Sequence, residues 1–406
     1  MRTVICSSAL ILLVMQHLVA QVGEQLPLNK PSAAETKSIN TISFHVSSGE
    51  LRALHEAKGK KLTLKASKVA VNEDTLKVKH IRVRGNTSSY FRRKSLNIKT
   101  DKKARFHTVT DTFSVNKFYA ISMNMDHNYV RNKIAYGVLK LTDVRVPSNS
   151  YASLSINNAT EGLYLIFYPP DEYAMKKCNA PFVIRRGYGE AMDKVYVQKN
   201  VNRQQESEYK KKFRSLYAPS TMNKSGEELY KEISAVLDLN TYFSWLAFNH
   251  LFQNADYADE AYFMWNPKKS KFEIIPWDFD DILKGHPHEG AEARSKVQSD
   301  KLIFSLEDEL DKKIASDSFL YEKYLRTYES FLKALTKERL RNVLTRVFDD
   351  VYPYYMQQDI IAQSQYDQYG RTDLGLLEGD LNSIYQYISV KAKELNENVA
   401  SQLAKE

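Results

Sequence analysis

Three carboxylates fall within four positions of "FEIIPWDFDDILKG" (272–285): Asp278, Asp280 and Asp281, directly after a run of aliphatic and aromatic residues. Carboxylates crowded in this way repel one another unless they face water or hold a cation. On a strand end, alternate side chains share a face, which sets Asp278 and Asp280 about 6–7 Å apart on one side. That spacing suits one or two hard cations, with Trp277 and Phe279 left for packing. The plainer alternative is a solvated acidic turn. Another aspartate, Asp256 in "FQNADYADE", lies upstream. It reads either as a carboxylate that orients or deprotonates a hydroxyl, or as an ordinary polar residue of a helix C-terminal turn.

Further upstream, "RVRGNTSSYFRRKS" runs through Gly85 toward Lys94, with Arg84, Arg92 and Arg93 alongside. A glycine turn lets the backbone approach a phosphate, and a lysine offsets its charge. A solvated basic strand edge is the competing reading. Phosphoryl transfer from a nucleotide needs such a turn and lysine, a carboxylate for the acceptor hydroxyl, and carboxylates for a divalent metal. The chain carries a candidate for each, in workable order.

The surrounding pattern shows what must hold these residues in place. "TISFHVS", "KLTLKASKVAV", "TLKVKHIRVRG", "KSLNIKT" and "KFYAISMN" alternate as strands do, with further strands around 151–156 and 162–168. "SGELRALHEA" reads as a short capped helix. A second helix is expected over 128–141, with Val130, Ile134, Val138 and Leu141 on one face. These elements describe a twisted antiparallel sheet with a helix packed against it. Residues 225–253 are helical and apolar on several sides. "AYFMWN", "PKKSK" and "KFEIIPW" form a β-hairpin, and from 301 onward apolar residues recur at helical spacing. The expected class is α+β. A mostly β N-lobe (about 41–175) and a mostly α C-lobe (about 176–400), with a long C-terminal helical region, would meet at a ligand-binding cleft.

At 43% hydrophobic and 12% aromatic, the 406 residues are not a disordered chain. "MRTVICSSALILLVMQHLVAQ" has the basic, apolar and small-residue parts of a signal peptide, so 1–20 reads as a leader and 21–40 as a flexible arm. No later run is long enough to span a membrane, so the mature chain is expected to be secreted or held at a surface. Cys178 has no partner once Cys6 leaves with the leader, and it reads as an inert thiol. The net charge of +9 collects at 81–106 and 209–214. In a secreted chain that favours polyanions, acidic proteins or nucleotide phosphates over nucleic acid. Sequons at Asn86, Asn158 and Asn223 fit a glycoprotein; Asn86 is expected bare, since a glycan there would block the phosphate turn. "HPHEG" (286–290) offers two histidines but too few ligands for a His-based metal site.

In combination, "RGNTSSYFRRKSLNIKT", "MDHNYVRNKIAYGVL", "NNATEGLYLI", "NADYADEAYFMWNPKKSKFEIIPWDFDDIL" and "LNSIYQYISVKAKELNENVASQL" look like successive blocks of the CotH (spore-coat protein H) kinase family. The resemblance covers roughly 41–400, and RGN-then-KS and PWDFD are its most specific motifs. It implies an atypical, bilobal protein-kinase-like fold that uses ATP and Mg²⁺ or Mn²⁺ to phosphorylate serine or threonine on exported, coat or surface proteins. A monomer is expected. Carried over, Lys94 matches the nucleotide-phosphate lysine, and Arg84, Gly85 and Asn86 match the phosphate-side turn. Asp256 matches the catalytic-loop aspartate, and Asp278 and Asp280 the metal-binding end of the hairpin. Asp126, followed by Arg131, stands where an acidic partner for Lys94 belongs; both also read as surface residues of a helix start. The chain departs from the pattern at Tyr168, where a glutamate is usual. It departs again at Tyr257-Ala258-Asp259-Glu260, where an asparagine is usual. These departures leave open a weak or inactive surface protein acting as an adhesin or binding module. The basic surface points to acidic substrates.

Overall fold

The computed structural model of the protein describes residues 25–28, 30, 39–187, 190–259, 261–290, 300–367 and 371–405. The leader expected at 1–20 lies outside them.

Alternating sequence in the first half forms β1 (Thr41–Phe44), β2 (Thr63–Leu64), β3 (Lys68–Val71), β4 (Asp74–Arg84), β5 (Ser95–His107), β6 (Thr112–Ile121), β7 (Asn149–Ile156) and β8 (Ala159–Phe167). The sheet order is β2-β4-β3-β1-β7-β8-β6-β5, and β4 also pairs with β5, so the sheet closes on itself. The expected antiparallel sheet is therefore barrel-like, and its β1–β7 pair is parallel. Closure follows from two long, bent strands: β4 and β5 shift register at Val78/His80, and β5 and β6 at Lys99/Ala104. Irregularities of this kind increase local twist. The inward positions Val69, Ile81, Ile98, Phe106, Phe118, Leu154 and Ile166 are buried in one core. Helix α1 (Ser48–Glu56) begins at a capping box formed by Ser47 and Glu50, as its sequence implies.

Helix α2 (Arg131–Leu139) follows β6. Val130, Ile134 and Val138 of the expected face are fully buried, but Leu141 lies past the helix end and is half-buried, and Asn132, Ala135, Tyr136 and Leu139 are buried as well, so the helix packs on most of its sides. After α3 (Pro170–Lys177) a second sheet forms from β9 (Phe182–Gly187), β10 (Glu190–Val197), β11 (Ala261–Asn266) and β12 (Lys271–Pro276), in the order β10-β9-β11-β12. β11 and β12 are the expected hairpin, running from Ala261↔Pro276 to Asn266↔Lys271.

Between these strand pairs lie α4 (Arg203–Ser215), α5 (Pro219–Met222), α6 (Gly226–Val236) and α7 (Leu239–Leu251). The helix expected over 225–253 is thus two helices. Leu237 leaves helical geometry to bridge Phe272, and the Asp238 side chain caps the second helix at Thr241. Helices α8 (Glu309–Ser316), α9 (Ser318–Ala334), α10 (Lys337–Tyr355), α11 (Gln358–Ser364) and α12 (Leu374–Leu403) complete the chain.

Part of the expected flexible arm is docked. Leu26 is buried and donates its N–H to Asn382 Oδ1 at 2.7 Å, and Lys30 pairs with Glu378 on α12. Among the described residues, no helix is long and apolar enough to cross a membrane.

Candidate functional site

The site is assembled by main-chain bonds between two loops. One follows α7 and the other follows β12. Ala255 N donates to Asp281 O at 3.1 Å, Leu283 N to Phe252 O at 2.7 Å, and His288 N to Ala255 O at 3.2 Å. This lacing brings three side chains together: Asp256 Oδ1 lies 3.1 Å from His288 Nδ1, and Asp281 Oδ2 lies 3.2 Å from His288 Nε2. Lys284 Nζ adds a contact to Asp281 Oδ1 at 3.1 Å.

Hydrogen bonds to Asp256 and Asp281 push the His288 imidazole up to about 10, so at neutral pH it is a cation. Burial alone would raise Asp281, but His288 and Lys284 outweigh it and hold the carboxyl below its ordinary range. Asp278 is pushed up to about 6 by burial, against the opposing charge of Arg84, with Asp256 and Asp281 adding repulsion. Burial and the adjacent Asp256 push Asp259 up to about 6 as well.

The strand argument for Asp278 and Asp280 does not hold. β12 ends at Pro276, and Asp278 adopts a left-handed conformation with φ +52° that turns the chain. The two side chains still contact each other through a hydrogen bond. Asp281, one position further on, is the residue that faces Asp256 across His288. Asp281 was counted in the acidic run but given no role, and His288 was set aside, because their pairing depends on a loop that folds back. For His288 the sequence signal was the histidine pair in "HPHEG".

Asp126 is buried at the start of α2, not exposed there. It accepts from Arg131 N at 2.8 Å, Asn132 N at 3.0 Å and Asn132 Nδ2 at 3.1 Å. Burial pushes its carboxyl up, and these donors oppose that. Asn132 Oδ1 in turn accepts from Phe279 N at 3.0 Å, and Arg131 Nη1 donates to Ile282 O. The α2 N-terminus therefore holds the aspartate loop in place, with Phe279 wedged against Tyr136 and Phe248.

On the phosphate side, Gly85 has φ +89°, and a Cβ there would sit 1.9 Å from Ser88 Oγ, so only glycine fits. Asn86 beside it is exposed. Lys94 is buried and donates to Ser89 O at 2.9 Å and to Phe91 O, clasping the turn from within. Arg84 lies over the Tyr119 ring at 4.2 Å and near Trp277 at 5.4 Å. Arg93 is wholly buried and bonds Glu161 O, Leu163 O and Ser364 O, so its role is structural. Tyr168 is buried against Tyr173, and Glu260 lies outside the described residues.

Beside Asp259 opens a cavity of about 430 Å³ lined by Gly187, Glu190, Ala191, Tyr217, Ala258, Asp259, Glu307, Asp308 and Glu309. Its polar lining is chiefly carboxylate, opposite in sign to the basic surface anticipated for substrate.

The donor set fits a divalent cation. Asp256 and Asp281 offer hard oxygen ligands that lie, with a His288 nitrogen, within 4.8 Å of one another, and the His288 imidazolium already takes a cation's place between the two carboxylates.

A sequence model of the CotH kinase protein family matches residues 81–395. The inner spore coat protein H of Bacillus subtilis (strain 168) is 20% identical over 297 residues, covering 68% of this chain and 76% of that protein. A solved complex of the Shewanella oneidensis MR-1 toxin–antitoxin proteins HipA and HipB with operator DNA is 13% identical. It covers 95% of this chain and 76% of that one at a TM-score of 0.32, too distant a likeness to support a statement about fold or function.

Proposed function

The chain belongs to the CotH kinase protein family, and from that premise we propose a metal-dependent protein kinase that moves the γ-phosphoryl group of ATP to serine or threonine of exported, coat or surface proteins. The observation that carries this reading is the placement of Arg84 over the ring of Trp277, at 5.4 Å, the residue that leads into Asp278. Arg84 ends β4 one residue before the Gly85 turn, rests on Tyr119 and Trp277, and its charge acts on the Asp278 carboxyl. A turn suited to phosphate thus lies beside carboxylates suited to a divalent cation, the pairing phosphoryl transfer requires.

In this reading Asp278 and Asp281 hold Mg²⁺ or Mn²⁺, which shields phosphate charge when bound, and Asp280 supports Asp278. Asp256 orients or deprotonates the acceptor hydroxyl. Arg84 meets the phosphates and Lys94 shapes the turn that faces them. The barrel-like sheet and the later helices act as two lobes about this site. The carboxylate-lined cavity favours an acceptor segment rich in lysine or arginine, in place of the acidic one expected from surface charge. The coat location of the Bacillus relative supports a coat or surface setting here.

A second reading, a nucleotide-free binding module, draws on His288 already filling the cation position. Thermal melting separates the two. Nucleotide and Mn²⁺ at a hundred times Kd should add about 2.7 kcal/mol of stability to the wild type. No stabilisation by nucleotide, with or without Mn²⁺, would sink the kinase reading.

A further inference from the structure

The barrel carries a basic face that the proposed chemistry does not use. Strand alternation puts Val69, Leu76, Ile81, Val83 and Ile98 into the barrel core, so their neighbours on β3, β4 and β5 point outward. Those neighbours are basic. Lys68 of β3 stands directly opposite Lys77 of β4. His80 of β4 stands opposite Lys99 of β5, which in turn stands opposite Lys117 of β6. Lys68, Lys77, Lys79 and Arg82 are exposed, and Lys99 is half-buried. None of them lines the acidic cavity.

Like charges directly opposite one another destabilise a strand pair. At the β6 end the chain relieves this itself: Lys117 Nζ lies 3.1 Å from Asp171 Oδ2 and 3.4 Å from Glu172 Oε1. Across β3, β4 and β5 it does not. Among the described residues, no carboxylate pairs with the side chains of Lys68, Lys77, Lys79, Arg82 or Lys99. Asp101 of β5 turns its Oδ1 to the main-chain N–H groups of Lys77 and Lys102, at 3.0 and 2.9 Å. Burial, with Arg82, Lys99 and Lys117 adding repulsion, pushes the His80 imidazole below its ordinary range.

Protection of a strand edge does not explain these lysines. β4 is bonded to β2 and β3 on one side and to β5 on the other, and β5 lies between β4 and β6, so neither strand is an open edge. Lysine supplies charge without a fixed geometry, so the face selects charge density over shape. Outward side chains recur about every 6–7 Å along a strand, and an extended polypeptide presents its own alternate side chains at the same repeat. Among the described residues, no large apolar side chain is exposed on β3, β4 or β5, so the face has nothing to insert into a bilayer.

We propose that the outer face of β3, β4 and β5 docks an extended segment of a partner protein rich in aspartate or glutamate. The proposal stands without the kinase reading, because none of these residues has a part in phosphotransfer.

Fluorescence anisotropy on the full chain tests it, with a labelled peptide of alternating glutamate and alanine as the probe. The wild type should bind the peptide, and added salt should weaken binding. Lys68→Gln, Lys77→Gln and Lys79→Gln together should raise Kd at least about tenfold. Lys211→Gln, Lys212→Gln and Arg214→Gln together remove the same charge from exposed positions on α4 and should change Kd less than about twofold. Both triple variants replace exposed side chains and should melt as the wild type does. Where the first fails to fold, Arg82→Gln with Lys99→Gln takes its place with the same expectation. No binding by the wild type, or equal weakening by the two triple variants, overturns the proposal. So does tighter binding of inorganic polyphosphate, or of vesicles of phosphatidylserine and phosphatidylcholine, through this face than of the peptide.

Discussion

Asp256 and Asp281 grip the two nitrogens of one imidazole, at 3.1 and 3.2 Å. The bridge places a positive charge where the proposed chemistry needs a divalent cation, and it depends on pH in a definite direction.

The folded His288 holds its proton up to about pH 10, whereas an unfolded histidine releases it near 6.5. Between those values the folded state binds the extra proton, so stability falls as pH rises. The contribution of His288 is complete below about pH 6.5 and gone above about pH 10. Melting temperatures of wild type and His288→Gln should therefore differ most at low pH and converge on the alkaline side. A constant difference across the range would contradict the bridge.

Arg93 should be a stability residue with no direct part in phosphate binding. Its guanidinium ties β5 to the Glu161–Leu163 stretch of β8 and to Ser364 of α11. Arg93→Met leaves those buried carbonyls without donors and should cost about 3 kcal/mol or more in urea unfolding. A loss of nucleotide affinity at full stability would reverse this assignment.

The cavity carboxylates predict a preference among substrates. Serine peptides flanked by lysine or arginine should be phosphorylated more efficiently than acidic ones. Glu307→Gln with Glu309→Gln should narrow the gap about tenfold, mainly through KM. Equal use of both peptide types by the wild type would remove the cavity from substrate recognition.

Much of the fold was legible because period-2 and period-3.6 patterns report which faces are buried. The β11–β12 hairpin, a short capped helix at α1 and three of the four apolar positions expected to pack from α2 follow from such local signals. Closure of the barrel was not, since the β4–β5 pairing depends on bends that alternation does not record. In the site, Gly85 and Asp278 stood out through composition. Asp281 and His288 meet through the Ala255–Asp281 and His288–Ala255 main-chain bonds, which any residue types could make. Asp126 was noticed for its charge, but its placement follows from helix-start geometry, and Asn132 carries the link to Phe279.

The central claim is tested most directly by phosphotransfer from labelled ATP with Mn²⁺ or Mg²⁺, comparing the purified wild type with Asp278→Ala. A kinase built as described should label itself or a basic serine peptide, and Asp278→Ala should lose at least about a hundredfold of that rate while melting as a folded protein. Equal labelling by both proteins would contradict the assignment of Asp278 and, with it, the site.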